Sequence, residues 1–552
     1  MLREYQLENF KAFAGPETIP IRPITLIYGP NSSGKSSILQ SLLLLKQTLE
    51  EANDATPLLP RGKLVDLGDY HEFVHRHDVS KKFSFQVSFD LNAKNVQPLR
   101  ARKLLEAANP QEIGLQVTFA AGEDIILPSS IEVFIGNRSL PVIVYEPELA
   151  RLFNVLEPHG LHTLKDWNTL LTKYSLPSDL TPWATVQVRE INSEHTFWQT
   201  WWAETKNHVD RELSESQATY AYREQGDRKY WEYISDRGGE EEIKELLKGY
   251  SFENAIEDFK NANQSLALGL RHFLPDEVRG VPHANSPLDV RVFYRDLKEG
   301  PSSAPEAQLD ISPVSFHICS LFRQFISSIV YLGPLRSYPE RDYIFSGNVS
   351  EYVGRSGEML PGVLFWKGPE FLDQINADLA RLGVGYKLEV KRSSDRGNGF
   401  ALHLKDEKSN VSANLRDVGF GVSQVLPIIV QSLLSQNKTL LIEQPEIHLH
   451  PALQAELGDL FIQSALGEQK NTFILETHSE HLMLRILRRI RETTEDELEP
   501  GLTPIRPEDV AVLYVLPGKD STKVIEIPIR PDGEFAKRWP EGFFTDRAKE
   551  LF

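Results

Sequence analysis

Hydrophobic and polar positions change period several times along the chain. Residues 4–10 alternate as a strand does, and 21–28 (IRPITLIY) carry apolar residues on both faces, the pattern of a strand covered on two sides. From residue 36 to 50 the period turns helical: Ile38, Leu42, Leu45 and Leu49 recur on one face, and Leu39, Leu43 and Leu44 widen the stripe. Runs at 83–91, 114–119 and 139–145 predict further strands. After residue 146 the texture changes. Trp183, Trp198, Trp201, Trp202 and Trp231 cluster among dense charges, and 240–260 reads as an amphipathic helical pair broken near Gly249. A stretch punctuated by Pro and Gly, 274–313, reads as loop.

Strand and helix then alternate. Strands are expected at 328–332, 439–442, 472–475, 510–516 and 522–529, a hairpin at 387–391 and 400–405, and helices at 421–434 (Pro427 near its start), 451–465 and 481–491. This alternation predicts an α/β fold with a mixed, largely parallel core sheet. Two lobes, a β-rich 1–146 and an α/β 314–552, are expected to flank a mostly helical insertion at 147–313. No internal repeat or low-complexity tract is present.

Composition narrows the class. The 552 residues hold 41% hydrophobic and 25% charged residues, ordinary values for a folded chain. The single cysteine, Cys319, excludes an intrachain disulfide, and a reducing cytoplasm is the expected compartment. The start lacks the apolar core of a signal peptide, and apolar runs such as SILQSLLLLKQTL are broken before they reach membrane-spanning length. A net charge of −18, without a run of five basic residues, supplies no argument for nucleic-acid binding by the chain as a whole.

The chemistry concentrates in Gly29-Pro-Asn31-Ser32-Ser33-Gly34-Lys35-Ser36, which fits G-x-x-x-x-G-K-[ST] between a predicted strand and a predicted helix. The glycines let backbone N–H groups turn in towards phosphate oxygens. Lys35 is expected to reach the β- and γ-phosphates of ATP, Ser36 to ligate Mg²⁺, and the helix N-terminus, with Ser37, to add its dipole. By chance the pattern arises in roughly a few per cent of chains this long; its strand–loop–helix setting argues against accident. Several hundred residues on, TLLIE ends an apolar strand in Glu443, the form of a Walker B acid for the same metal, followed by Gln444, Pro445 and Glu446.

The segments NFKAF, GPNSSGKSS, DVGFGVSQVLP, LLIEQPEIHLHP and ETHSEHL occur in that order. Together they resemble the P-loop ATPases related to ABC transporters, SMC proteins and the overcoming-lysogenization-defect family. The final DGEFAKRWPEGFF is similar to a bacterial branch that includes PtuA, the ATPase subunit of Septu anti-phage systems, some of which act with retrons. The resemblance implies an ABC-type head and a homodimer or higher oligomer, with ATP held between Walker A of one chain and a signature, Gly419-Phe420-Gly421, of the other. The family's usual serine is replaced at Gly419. His478 matches the switch histidine that meets the γ-phosphate, and Asn9, Phe10 and Lys11 fall where the family lines the adenine.

One departure is chemical. The family's catalytic glutamate is replaced by Gln444, which can orient water but cannot take its proton. Slow hydrolysis is therefore expected, with Glu446 as a substitute base if the strand end turns suitably. His448 and His450 have spacing for two ligands, but no further Cys or His lies near in sequence to complete a zinc site. No Asp-x-Asp follows His478 and no Cys–His cluster is present, so the chain is not expected to cut nucleic acid itself. The resemblance instead implies a separate HNH nuclease subunit (PtuB-like), with a retron reverse transcriptase and its DNA–RNA product as further partners. The tryptophans of the insertion would either anchor a partner or build its own core. Arg336 and Arg341 are candidates for phosphate or nucleic-acid contact. The alternative is a RecF/SMC-like DNA-repair ATPase acting directly on DNA; the insertion lacks the sustained heptads of a tether.

Overall fold

A computed structural model describes residues 2–52, 56–90, 112–122, 126–136, 138–145, 183–187, 203, 267–278, 312–347, 349–393 and 398–540. The centre is a six-stranded sheet of β3 (Ile24–Tyr28), β11 (Ile329–Leu332), β16 (Thr439–Glu443), β17 (Thr472–Glu476), β18 (Val510–Leu516) and β19 (Lys523–Glu526), in the order β11-β16-β17-β3-β18-β19. All pairs are parallel except the last, β18 with β19. This is the mixed α/β core that the sequence predicts. The strands inside the edge strand β19 are mostly apolar because both faces are covered. Along β18, Val510, Val512 and Tyr514 enter one core, while Ala511, Leu513 and Val515 enter the other.

The first core lies beneath a nine-stranded antiparallel sheet. It is built from β1 (Leu2–Glu8), β2 (Glu17–Pro20), β4 (Phe83–Asp90), β5 (Glu112–Ala121), β6 (Ile126–Ile135), β7 (Arg138–Tyr145), β8 (Trp183–Gln187), β9 (Ala267–Arg271) and β10 (Leu274–Val278). Helix α1 (Lys35–Glu51) fills this core; Ile38, Leu39 and Leu42 to Leu45 are all buried, so the run of leucines is hydrophobic all round because it is enclosed all round. A short α2 (Tyr70–Phe73) and α3 (Ser312–Ser328), which buries Ile318, Cys319, Phe322 and Ile326, complete it. The second core holds α4 (Leu360–Arg381), α5 (Phe420–Leu434), α6 (Pro451–Leu466) and α7 (Glu480–Thr494). A small antiparallel sheet of β12 (Tyr343–Ile344), β13 (Tyr386–Arg392), β14 (Gly399–Asp406) and β15 (Ser412–Asn414) joins them.

Three expectations change. Most of the helical insertion, including Trp198, Trp201, Trp202, Trp231 and the 240–260 pair, lies outside the described residues. Where 147–313 is described it supplies chiefly β8, β9 and β10, strands that extend the first lobe's sheet; 274–278, expected as loop, is a strand because it closes with 267–271 as an antiparallel hairpin, and 312–313 open α3. Pro427 stands in the middle of α5 rather than near its start. Helix α4 was not expected; its pattern is interrupted by Gly368 at φ 78° and by Pro369, where the helix kinks.

Candidate functional site

The parallel strands β3, β16 and β17 end along one edge of the core sheet, and the predicted site residues collect there, as ligand sites of open α/β sheets do. Strand β3 runs directly into Gly29 at φ 150°, where a Cβ would stand 2.6 Å from the carbonyl oxygen of Val515. Only glycine fits. Asn31 and Ser32 are exposed at the loop's tip, Ser33 is buried, and Gly34 at φ 104° turns the chain into α1, whose first residues are Lys35, Ser36 and Ser37. Lys35 Nζ donates to the carbonyls of Gly29 (3.1 Å) and Pro30 (2.9 Å), so its charge stands at the mouth of the loop. Burial lowers its pKa, opposed by Glu476 and Glu446. Distant residues brace the loop: Thr522 Oγ1 donates to the Ser33 carbonyl at 3.1 Å.

Three carboxylates are buried along this edge of the sheet. Glu443 ends β16; its Oε1 accepts from the Tyr331 hydroxyl at 2.7 Å. Glu446 follows one turn on, where its two oxygens accept from Thr477 Oγ1 and from the His478 backbone N–H, both at 2.7 Å. Glu476 ends β17 in register with Glu443, and its Oε1 accepts from Ser36 Oγ at 2.9 Å. Burial raises the pKa of all three, that of Glu476 to about 7. Gln444 takes a left-handed conformation at φ 46°, and its N–H donates to the Glu476 carbonyl at 2.7 Å, which fixes the turn out of β16. His478 is half-buried; burial and the nearby Lys35 charge both lower its pKa.

The P-loop residues, Glu443, Gln444, Glu446 and His478 are thus brought to one edge of the sheet. The signature glycines lie elsewhere: Gly419 precedes α5, and Gly421 packs on the 448–449 turn, where a Cβ would meet the His448 carbonyl oxygen at 2.9 Å. Two assignments are corrected. Phe10 is wholly buried, packed on Phe73 and Phe83 with ring centroids 5.6 and 5.3 Å away, so it cannot line an adenine. Arg336 is buried as well and donates to the carbonyls of Pro334, Glu443 and Gln444. It holds the strand end instead of meeting phosphate or nucleic acid. Arg341 forms a two-pronged pair with Asp417, and His450 Nδ1 caps α6 by accepting from the Ala452 N–H.

Glu476 was missed by sequence reasoning, although it is the first residue of ETHSEHL and stands two residues before His478. Its oxygen Oε2 and Ser33 Oγ are buried without a hydrogen-bond partner. A donor hydroxyl and an acceptor carboxylate oxygen, flanking a loop that only glycine permits, suit a phosphate and its divalent cation.

Comparison with known proteins agrees. The profile described as "AAA ATPase domain" matches residues 1–267 and 366–483, well over half of the chain. A second, "Protein of unknown function (DUF3696)", matches 505–552. No curated protein matches. Among solved structures, the chain is similar to the SMC head domain from Thermotoga maritima at 9% identity and TM-score 0.33, covering 96% of this chain and 99% of that one. It is also similar to the Smc head domain with an extended coiled coil, bound to the C-terminal domain of ScpA, from Pyrococcus furiosus, at 11% identity and TM-score 0.35, covering 96% of each. Among the described residues no helix is long and apolar enough to cross a membrane. On the extent of the profile match and the P-loop geometry, the chain belongs to the AAA ATPase domain family.

Proposed function

We propose that the chain is a slowly hydrolysing regulatory ATPase that controls a partner HNH nuclease in an anti-phage defence complex. The observation that carries the slow-hydrolysis reading is Gln444, an amide where the attacking water needs a proton acceptor, with the neighbouring Glu446 already accepting two hydrogen bonds. Lys35 and the loop N–H groups bind the phosphates of ATP. Ser36 and a buried acid from the neighbouring strand ends would hold Mg²⁺, which when bound offsets phosphate charge. Gln444 orients water, and His478, set by Glu446, faces the γ-phosphate. ATP then acts mainly as a conformational latch. Two copies pair head to tail, so that Gly419 and Gly421 of one protomer meet the nucleotide of the other.

The nuclease assignment is supported by the resemblance of the C-terminal segment. That segment is part of the ATPase architecture: Trp539 packs edge-on against Tyr28, which precedes Gly29, and against Tyr514, at 5.6 and 5.8 Å. Purification from native cells, with mass spectrometry and ATP turnover assays, tests the proposal. A co-purifying HNH protein and slow turnover support it, and a retron reverse transcriptase with its DNA–RNA product would extend the complex. Turnover at tens per second by the chain alone, unchanged in Gln444→Ala, refutes the latch. Metal-dependent nuclease activity of the chain alone refutes the division of labour. A lone dimer that brings down chromosomal DNA and hydrolyses faster on it replaces the proposal with DNA repair.

A further inference from the structure

Resting on the nucleotide reading above, we propose that the acid completing the Mg²⁺ site with Ser36 is Glu476 on β17, and not Glu443 at the end of the Walker B strand. Strand order is the first argument. In β11-β16-β17-β3, the strand beside the P-loop strand is β17, and β16 lies one strand further away. Glu476 is in register with Ile27 of β3, and Glu443 with Glu476. At roughly 4.8 Å per strand, Glu443 starts about twice as far from the loop as Glu476.

Hydrogen bonding is the second argument. Each carboxylate has one oxygen engaged, and the two face opposite ways across the sheet. Glu443 Oε1 accepts from Tyr331 on β11, at the edge away from the P-loop. Arg355 lies over the Tyr331 ring, 5.5 Å from its centroid, and so favours that arrangement. Glu476 Oε1 accepts from Ser36 Oγ, the hydroxyl that P-loop chemistry assigns to the metal. The other oxygen, Glu476 Oε2, is buried and has no partner, although the residue is only 5% exposed. An unpaired carboxylate oxygen in such a place is costly unless a ligand meets it. A divalent cation, directly or through its water, is the ligand that a serine hydroxyl and a carboxylate share.

Manganese affinity in the presence of ATP, read by the electron paramagnetic resonance signal of free Mn²⁺, tests the assignment in the full-length protein. Glu476→Gln is expected to weaken Mn²⁺ binding about ten- to a hundredfold, the scale of losing a partner that orients or completes a metal site. Glu443→Gln is expected to weaken it far less. Glu476→Asp, which keeps the charge but withdraws it from Ser36, should fall between wild type and Glu476→Gln, and it serves if the glutamine variant fails to fold. A loss in Glu443→Gln equal to or larger than that in Glu476→Gln overturns the assignment. Binding of a fluorescent ATP analogue, measured both with Mg²⁺ and in EDTA, separates failure of the nucleotide reading from failure of the assignment. Wild type that binds no nucleotide overturns the nucleotide reading and this assignment with it, whereas wild type that binds while Glu476→Gln keeps its manganese affinity overturns the assignment alone.

Discussion

Replacing Glu446 by alanine and, separately, by glutamine distinguishes an anchor from a base. The structure gives Glu446 two buried donors to satisfy, Thr477 Oγ1 and the His478 N–H. Alanine leaves both unsatisfied at roughly 1–3 kcal/mol each, or about 2–6 kcal/mol in all. That cost falls on the turn that presents His478. Glutamine keeps one acceptor for the His478 N–H and turns its NH₂ towards the Thr477 hydroxyl, which can accept, so its cost is about 1 kcal/mol. As an anchor, Glu446 should therefore tolerate glutamine with a loss of a few fold in ATP turnover, while alanine loses most activity and lowers the melting temperature by several degrees. As a base, both variants would lose the same roughly 10²–10⁴-fold, since neither can take a proton. Single-turnover hydrolysis of radiolabelled ATP, beside thermal melts, measures both quantities. A glutamine variant as inactive as the alanine variant, with an unchanged melting temperature, refutes the anchor argument.

Two further outcomes follow from the geometry. Asp459 on α6 accepts from Arg489 Nε and Nη2 and from Arg485 Nη1 on α7, and those arginines hold its carboxyl below the usual range despite burial. Asp459→Asn should destabilise by about 2–3 kcal/mol near neutral pH, less than a fully stranded buried charge because Glu456 and Glu492 still pair the arginines. A depressed carboxyl contributes stability above its unfolded value of 3.8, lost as pH falls through the folded value; the gap between variant and wild type in urea melts should therefore close below about pH 4. A gap that stays constant to pH 2 contradicts the charge-pair account. Gly29→Ala should cut nucleotide affinity at least tenfold, because the backbone conformation alone costs about 1–3 kcal/mol for alanine and the Val515 carbonyl cannot make room for a Cβ. Titration with a fluorescent ATP analogue checks it, and unchanged affinity would refute it.

What could be read from the sequence was local. The P-loop, α1 and the apolar core strands declare themselves through spacing within a few residues, and β18 was expected at the bounds observed. Glu476 was not legible, because its importance depends on strand order. It lies 440 residues from Ser36, and it adjoins β3 only because β17 inserts between β16 and β3. Phe10 and Arg336 were misread for a related reason. A motif position and a loop composition say nothing about burial, and both side chains prove to be enclosed. Helix α4 escaped notice because Pro361, Gly362, Gly368 and Pro369 break its periodicity, while tertiary packing of Val363, Leu364, Ile375 and Leu379 overrides the breakers.

The long separation of the two nucleotide motifs does not divide the ATPase into two independent units. Strand β3, which carries the P-loop, is bonded on one side to β17 and on the other to β18, both from the far end of the chain. Thr522 braces Ser33, Ser521 receives the Ala14 N–H, and Lys523 pairs with the buried Glu17. Residues 1–146 alone would leave β3 without a neighbour on either side, its backbone unpaired and its second-core face of Ile24, Leu26 and Tyr28 uncovered. The first lobe therefore gains its nucleotide-binding geometry only when the last strands are in place. The C-terminal segment reaches the same strand end, where the Trp539 ring packs edge-on against Tyr28, the residue before Gly29.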